Sequence, residues 1–114
     1  MSKEQKGNIS EDAIVIFITT SNKEEAGKIA NILIEERLAA CVNIVERVRS
    51  IYRWKGEICD EAESLMVIKT KRGLFDKLSM RVKEVHSYTV PEIIALPIIE
   101  GSEEYMNWLI TETA

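Results

Sequence analysis

The chain alternates between two patterns of apolar residues, and each pattern predicts one kind of element. The run from Ala13 to Thr19 is β-branched and aromatic without alternation, which is typical of a strand covered on both faces. Apolar residues then recur at helical spacing and predict a helix over about residues 22–38. Ser21, with Glu24 three positions later, has the form of a capping box at the start of that helix.

The middle of the chain predicts one long hairpin. Between residues 41 and 54, five even positions are apolar and three odd positions are arginines: Val42, Ile44, Val48, Tyr52 and Trp54, and Arg47, Arg49 and Arg53. Lys55-Gly56 supplies a two-residue turn, and residues 57–70 return as the partner strand. Each arm has about 14 residues, whereas strands commonly have about 5 to 6.

Pairing about this turn sets the register of the hairpin. Tyr52 is expected opposite Cys59, and Cys41 opposite Thr70 if no bulge intervenes. The two cysteines would then be separated by about 11 residues of hairpin, roughly 35 Å, which excludes a disulfide within one chain.

The second half of the chain predicts a helix over about residues 72–85 and a fourth strand over about residues 92–99. Pro97 lacks an amide donor, so this strand should lie at a sheet edge or carry a bulge. Gly101-Ser102 opens a short C-terminal helix. The order β-α-β-β-α-β with an extra helix is that of an α+β, ferredoxin-like fold, an antiparallel sheet with helices on one face.

Composition narrows the class of protein. The 114 residues, 46% hydrophobic and 30% charged, form one globular domain expected over residues 13–114. The net charge of -4 disfavours binding to nucleic acid or to an anionic membrane. Residues 1–12 lack the apolar core of a signal peptide and are expected to form a flexible tail, with the protein in the cytoplasm.

The length of the hairpin predicts an oligomer. Its tip must project beyond the two helices that cover the sheet, yet it carries Tyr52 and Trp54. Exposed aromatic side chains on a projecting ribbon favour pairing with other copies of the chain. The alternative is a hairpin that curls over its own sheet.

Four blocks of sequence carry a resemblance to a known family. They are LAACVN at residues 38–43, YRWKGEI at 52–58, ESLMVIKT at 63–70 and HSYTVPEI at 86–93. In order and spacing they resemble the CutA family, and the similarity spans about residues 13–113. The resemblance implies a homotrimer with sheets packed edge to edge through the long hairpins and with clefts between subunits. It also implies a role in tolerance of divalent cations, including copper, and in metal-ion homeostasis.

The candidate ligands for copper or zinc are few. Thiolate and imidazole, which such ions prefer, come from Cys41, Cys59 and His86 only, and no CxxC or HxxxH spacing occurs. The resemblance implies copper-ligand positions at Ile18, Val85 and His86, of which only His86 carries a ligand group. We expect His86 and Cys41 as metal ligands and no metal requirement for folding. The alternatives are a structural hydrogen-bonding role for His86 and simple burial for Cys41.

A pocket between subunits is predicted beside His86. Tyr88 and Glu92 lie just beyond the second helix, with Lys69 at the end of the third strand. A carboxylate, a phenol, an imidazole and an ammonium together would suit a small anionic ligand or a metal chelate. The alternative is structural, with Pro91 at a strand entry and Glu92 paired with a lysine.

Two features of the hairpin extend this pocket. Trp54 could stack on a ligand or pack at a subunit interface. An acidic cluster that could bind hard cations consists of Asp60, Glu61 and Glu63. The alternative is that these residues form a solvated strand face. We include Trp54 and Glu61 in the predicted pocket.

No recognisable catalytic constellation is present, since the sequence has one histidine, no GxSxG and no P-loop. We therefore predict that the protein is not an enzyme, and hydrolysis through Glu61 and Glu63 is a distant alternative. Two functions remain: a metal-binding trimer that buffers or senses divalent ions, and an effector-binding or scaffolding trimer like the PII signalling proteins.

Overall fold

The chain folds in the predicted order of elements. The structure, a computed structural model, describes residues 12–114, so the predicted N-terminal tail lies outside the described residues except for Asp12. The elements are β1 Ala13–Thr20, α1 Lys23–Glu35, β2 Cys41–Trp54, β3 Glu57–Lys71, α2 Phe75–Val85, β4 Ile93–Pro97 and α3 Glu103–Thr111. The four antiparallel strands are ordered β2-β3-β1-β4, which confirms the ferredoxin-like fold with an extra C-terminal helix.

The core lies between the sheet and helices α1 and α2. Even-numbered residues of β1 and β3 face the two helices because alternate residues of a strand share a face. The fully buried residues that meet there are Ile16, Ile18, Met66 and Ile68 from the sheet and Ile29, Leu33, Leu78 and Val82 from the helices. The opposite face is less covered: α3 packs against β3 and β1 there, and Ile94 and Leu96 of β4 stay exposed.

The start of α1 differs from its prediction by one residue. Asn22 is the N-cap, and its side chain accepts a hydrogen bond from the Glu25 amide at 2.8 Å. Glu25, not Glu24, reaches back to accept from the Ser21 hydroxyl at 3.1 Å. The predicted Ser21–Glu24 capping box is therefore wrong, although the start of the helix was placed within one residue.

The end of α1 comes at Glu35 rather than at residue 38. The amide of Arg37 donates to the Ile34 carbonyl at 3.1 Å and that of Leu38 donates to the Leu33 carbonyl at 2.9 Å. This is a Schellman motif, which needs a left-handed residue, and Arg37 supplies it with φ 59°. The spacing of Leu38 predicts it within the helix, but Leu38 is buried as the second residue beyond the C-cap Glu36.

The hairpin between β2 and β3 has the predicted turn and most of the predicted register. Lys55 and Gly56 have φ of 52° and 82°, as a type I′ turn requires. Tyr52 pairs with Cys59 as expected, but Cys41 pairs with Lys69 instead of Thr70. The shift arises at a bulge between Val45 and Val48, where β2 holds one extra residue.

The bulge also changes which face each side chain occupies. Paired residues share a face, so Val42 and Ile44 lie on the helix side with Ile68 and Met66. Beyond the bulge the even positions of β2 pair with odd positions of β3, which turns Tyr52 and the other even residues to the opposite face. The even apolar positions of β2 therefore do not form one stripe.

The tip of the hairpin projects from the sheet. Ile51 and Ile58 are 62% and 69% exposed, and Tyr52 and Trp54 are also exposed. The described residues extend over 53 Å in one direction and 26 Å or less in the others. The hairpin thus does not curl over its own sheet.

Candidate functional site

A cleft of about 1020 Å³ opens between the hairpin and the segment that follows α2. We refer to it as the cleft. Its aromatic and charged lining consists of Tyr52, Trp54, Lys55, Glu63, Tyr88 and Glu92. Its other polar side chains are serine and threonine hydroxyls. Of the predicted pocket residues, Trp54, Tyr88 and Glu92 therefore line one space.

A hydrogen bond between Tyr88 and Glu63 lies at the wall of the cleft. The Tyr88 hydroxyl donates to Oε2 of Glu63 at 2.7 Å, and Glu63 is buried with 7% of its surface exposed. Burial raises the pKa of the Tyr88 phenol well above its usual value, and the hydrogen bond to Glu63 raises it further. Tyr88 therefore remains a protonated donor at neutral pH.

A second phenol and carboxylate pair lies further along the hairpin. The Tyr52 hydroxyl donates to Oε1 of Glu61 at 2.6 Å, and this bond raises the pKa of the Tyr52 phenol. Glu61 and Glu63 share a face because they are two residues apart on β3. Asp60 points to the other face, where Arg49 binds its two carboxylate oxygens at 2.9 and 2.6 Å. The predicted acidic cluster is thus divided between the two faces of the ribbon.

His86 is buried behind the cleft, and both of its ring nitrogens have partners. Nε2 lies 2.9 Å from the Thr19 carbonyl oxygen, so it carries the proton and donates. Nδ1 accepts from the Tyr88 amide at 3.0 Å, and the two rings lie 4.8 Å apart. His86 thus orients Tyr88, and a metal ion could reach the imidazole only by displacing one of these hydrogen bonds.

Glu25 of α1 holds the same segment from the other side. Its Oε2 accepts from the Ser87 amide at 2.7 Å and lies 3.6 Å from Nδ1 of His86. Its Oε1 accepts from the Ser87 hydroxyl at 3.0 Å. The start of the segment after α2 is therefore fixed by α1 and β1 together.

Cys41 and Lys69 lie at the other end of the sheet. They face each other across β2 and β3, and the Lys69 ammonium donates to the side-chain oxygen of Asn43. Lys69 also pairs with Val15 of β1. His86 contacts Thr19 of the same strand, and Thr19 lies four residues, or about 13 Å, from Val15. Cys41 and His86 are accordingly too far apart in one chain to bind the same ion.

The structure separates Lys69 from the rest of the predicted pocket. Tyr88 meets Glu63, which is six residues and about 20 Å from Lys69 along β3. Within residues 12–114, no group of three or more His, Cys, Asp and Glu side chains is arranged to hold a metal ion. Cys41 and Lys69 therefore lie at a distant end of the sheet, and Glu61 does not line the cleft itself but accepts a hydrogen bond from Tyr52, which does.

Sequence reasoning missed Lys55 as a cleft residue and placed Glu63 only in the acidic cluster. The signal for Glu63 was its spacing of two from Glu61, which puts both side chains on one strand face. The signal for Lys55 was its position at the turn next to Trp54.

Comparison with known proteins gives a consistent result. The family model described as "CutA1 divalent ion tolerance protein" matches residues 14–112. The divalent-cation tolerance protein CutA of Thermus thermophilus is 54% identical over 99 residues, which cover 87% of this chain and 96% of that protein. The chloroplastic protein CutA of Arabidopsis thaliana is 45% identical over 101 residues, and the chain spans 56% of its length.

Solved structures are similar over nearly the whole described chain. The Thermus thermophilus divalent cation tolerance protein has a TM-score of 0.87 at 53% identity and covers 90% of this chain and 99% of its own. CutA1 from Oryza sativa has a TM-score of 0.88 at 46% identity, with 90% and 94% covered. A CutA from Archaeoglobus fulgidus, named as periplasmic, has a TM-score of 0.85 at 40% identity, with 88% and 97% covered. None of the helices described for this chain has the length and apolar character needed to cross a membrane.

Proposed function

The chain belongs to the CutA1 divalent ion tolerance family, and from this we propose that it binds divalent cations as a homotrimer and contributes to their homeostasis. The observation that carries the proposal is the 54% identity to a protein named for divalent-cation tolerance, over 96% of that protein. The proposal assigns the chain no catalytic step.

His86 and Cys41 are the proposed ligands for copper or zinc, because imidazole and thiolate are the groups that such ions prefer. They lie about 13 Å or more apart in one chain, so each would belong to a separate site that a neighbouring subunit completes. Binding at His86 also requires its ring to give up the hydrogen bond from the Tyr88 amide or the one to Thr19.

Metal retention by the purified protein tests this proposal. Metal-free protein is incubated with Cu(II) or Zn(II), desalted and analysed for bound metal. We expect about one ion per chain at each of the two sites, with the ion of the altered site lost in His86→Gln or in Cys41→Ser. Cys59→Ser is the matched control, since Cys59 is also a half-buried free thiol but lies near the hairpin tip. No retained ion, or equal retention in all variants, would contradict the proposal.

Effector binding in the cleft is the second candidate function. The cleft has about 1020 Å³, which exceeds the need of a single ion, and aromatic side chains line it. A small molecule that binds the folded protein raises its melting temperature by mass action, and a metabolite panel measured by thermal unfolding tests this.

We also propose a cytoplasmic location. The two free cysteines support it, because thiols remain reduced in that compartment. Relatives are named as chloroplastic and periplasmic, so fractionation of the source cells is the required test.

A further inference from the structure

Glu63 is a buried carboxylate with an unusual set of partners. Its Oε2 accepts from the Tyr88 hydroxyl, while among residues 12–114 no Lys, Arg or His pairs with it and no donor reaches its Oε1. Burial of an ionised carboxylate is unfavourable unless it is paired and hydrogen-bonded. Because Glu63 lines the cleft, the space beside Oε1 is where a positive charge would relieve this cost.

The rest of the lining fits an organic cation. Tyr52, Trp54 and Tyr88 present aromatic rings, whose faces attract cations. Lys55 already places its ammonium 5.9 Å from the centre of the Trp54 ring. Glu92 adds a second carboxylate, so the charged lining has two negative groups and one positive group.

The anionic ligand expected from the sequence depended on Lys69. Its ammonium is bonded to Asn43, and Lys69 is about 20 Å along β3 from Glu63. Without Lys69, the cleft offers an anion only Lys55, against two carboxylates. The charge of the cleft therefore favours a cationic ligand over an anionic one.

We propose that the cleft binds a small organic cation, an ammonium or guanidinium compound, with its charged group at Oε1 of Glu63 and its apolar part against Tyr88 and Trp54. This inference rests on the effector-binding candidate described above. The aromatic lining and a volume of about 1020 Å³ favour an organic cation over a bare metal ion. The described part of the chain also provides no group of three metal-ligating side chains here.

Titration calorimetry with two matched pairs of probes tests the charge requirement. The pairs are benzylamine with benzyl alcohol, and choline with 3,3-dimethylbutan-1-ol, which has nearly the same shape without the charge. The full chain is used in its native oligomeric state in phosphate buffer, because Tris is itself an ammonium compound. We expect at least one charged probe to bind at least tenfold more tightly than its neutral partner.

Variants assign the charge effect to Glu63. Glu63→Gln keeps an acceptor for Tyr88 but removes the charge, and we expect it to weaken binding of the charged probe at least tenfold. Glu35→Gln, an exposed position on α1, is the control and should leave binding unchanged. If Glu63→Gln fails to fold, the comparison of charged and neutral probes on the unmodified chain still tests whether binding requires a positive charge.

Two results would overturn the inference. Equal binding of charged and neutral probes would leave effector binding in place without a charge requirement. Absence of any binding would show that the cleft does not bind an organic cation. If Glu63→Gln then also weakens subunit association, a Lys or Arg of a second copy occupies the site. Retention of copper or zinc is measured separately, so failure of the organic cation and failure of the divalent-ion proposal give different results.

Discussion

Glu25 shows how one carboxylate organises the segment that carries Tyr88. Burial raises the pKa of the Glu25 carboxyl, but hydrogen bonds from the Ser87 amide and hydroxyl and from Ser21 lower it more. The net pKa is lowered. A lowered pKa means that ionised Glu25 stabilises the folded state at neutral pH.

This gives a prediction for acid unfolding. The contribution of Glu25 is present above its unfolded pKa of about 4.3 and is lost as the pH falls through the lower folded pKa. Glu25→Gln should lower the free energy of unfolding at pH 7 by about 1–2 kcal/mol, since a charged acceptor is replaced by a neutral one. Thermal unfolding between pH 7 and pH 3 should show a smaller loss of stability in the variant than in the unmodified chain. Glu24→Gln, an exposed neighbour, is the control, and an identical pH profile in Glu25→Gln would refute the prediction.

The surroundings of individual side chains in the site are the hardest feature to predict from the sequence. A carboxylate such as Glu63 is expected at the surface, and only the packing of Tyr88 against it reveals that it is buried. Lys69 shares a strand face with Glu63, as the alternation of side chains along a strand predicts. The alternation does not predict which position of β3 the segment after α2 contacts. Trp54, Tyr88 and Glu92 come to one cleft because the tip of the hairpin lies beside the segment after α2.

Among the elements, the β2–β3 hairpin was the most predictable and also the most instructive. Its bounds and turn follow from alternation and from Lys55-Gly56. The bulge at Arg47, with φ 62°, was missed because one extra residue leaves apolar side chains at even positions on both sides of it. The end of α1 was missed for a related reason: Arg37 takes a left-handed conformation that sequence reasoning assigns to glycine.

The turn allows a test in which backbone conformation is the only variable. Gly56 has φ 82°, and a Cβ added there would meet nothing within 4 Å, so Gly56→Ala should cost about 1–2 kcal/mol from conformation alone. Gly27 lies within α1 and also has open space, so Gly27→Ala should stabilise by roughly 0.5–1 kcal/mol. Denaturant unfolding of both variants measures the two changes, and the same sign in both would show that conformation does not control the turn.

For the whole molecule, the distribution of apolar surface is the main argument for assembly. The hairpin exposes Ile51 and Ile58 on a projecting ribbon, and β4 exposes Ile94 and Leu96 at a sheet edge. The helix side of the sheet, in contrast, is packed. These apolar side chains on the hairpin and on the edge strand support the proposal that subunits meet through their sheets and hairpins.

A charge placed at the hairpin tip should therefore weaken the proposed trimer. Ile58 is 69% exposed, and burial of an isoleucine side chain at an interface contributes about 1.5–3 kcal/mol, so Ile58→Lys should weaken association by roughly tenfold or more. Met80 of α2 is 66% exposed and serves as the matched control, since Met80→Lys adds the same charge on the helix side. Sedimentation equilibrium over a range of concentrations should give three times the chain mass for the unmodified protein and for Met80→Lys, with dissociation in Ile58→Lys. A monomer in all three, or equal dissociation of the two variants, would place the interface elsewhere or remove it.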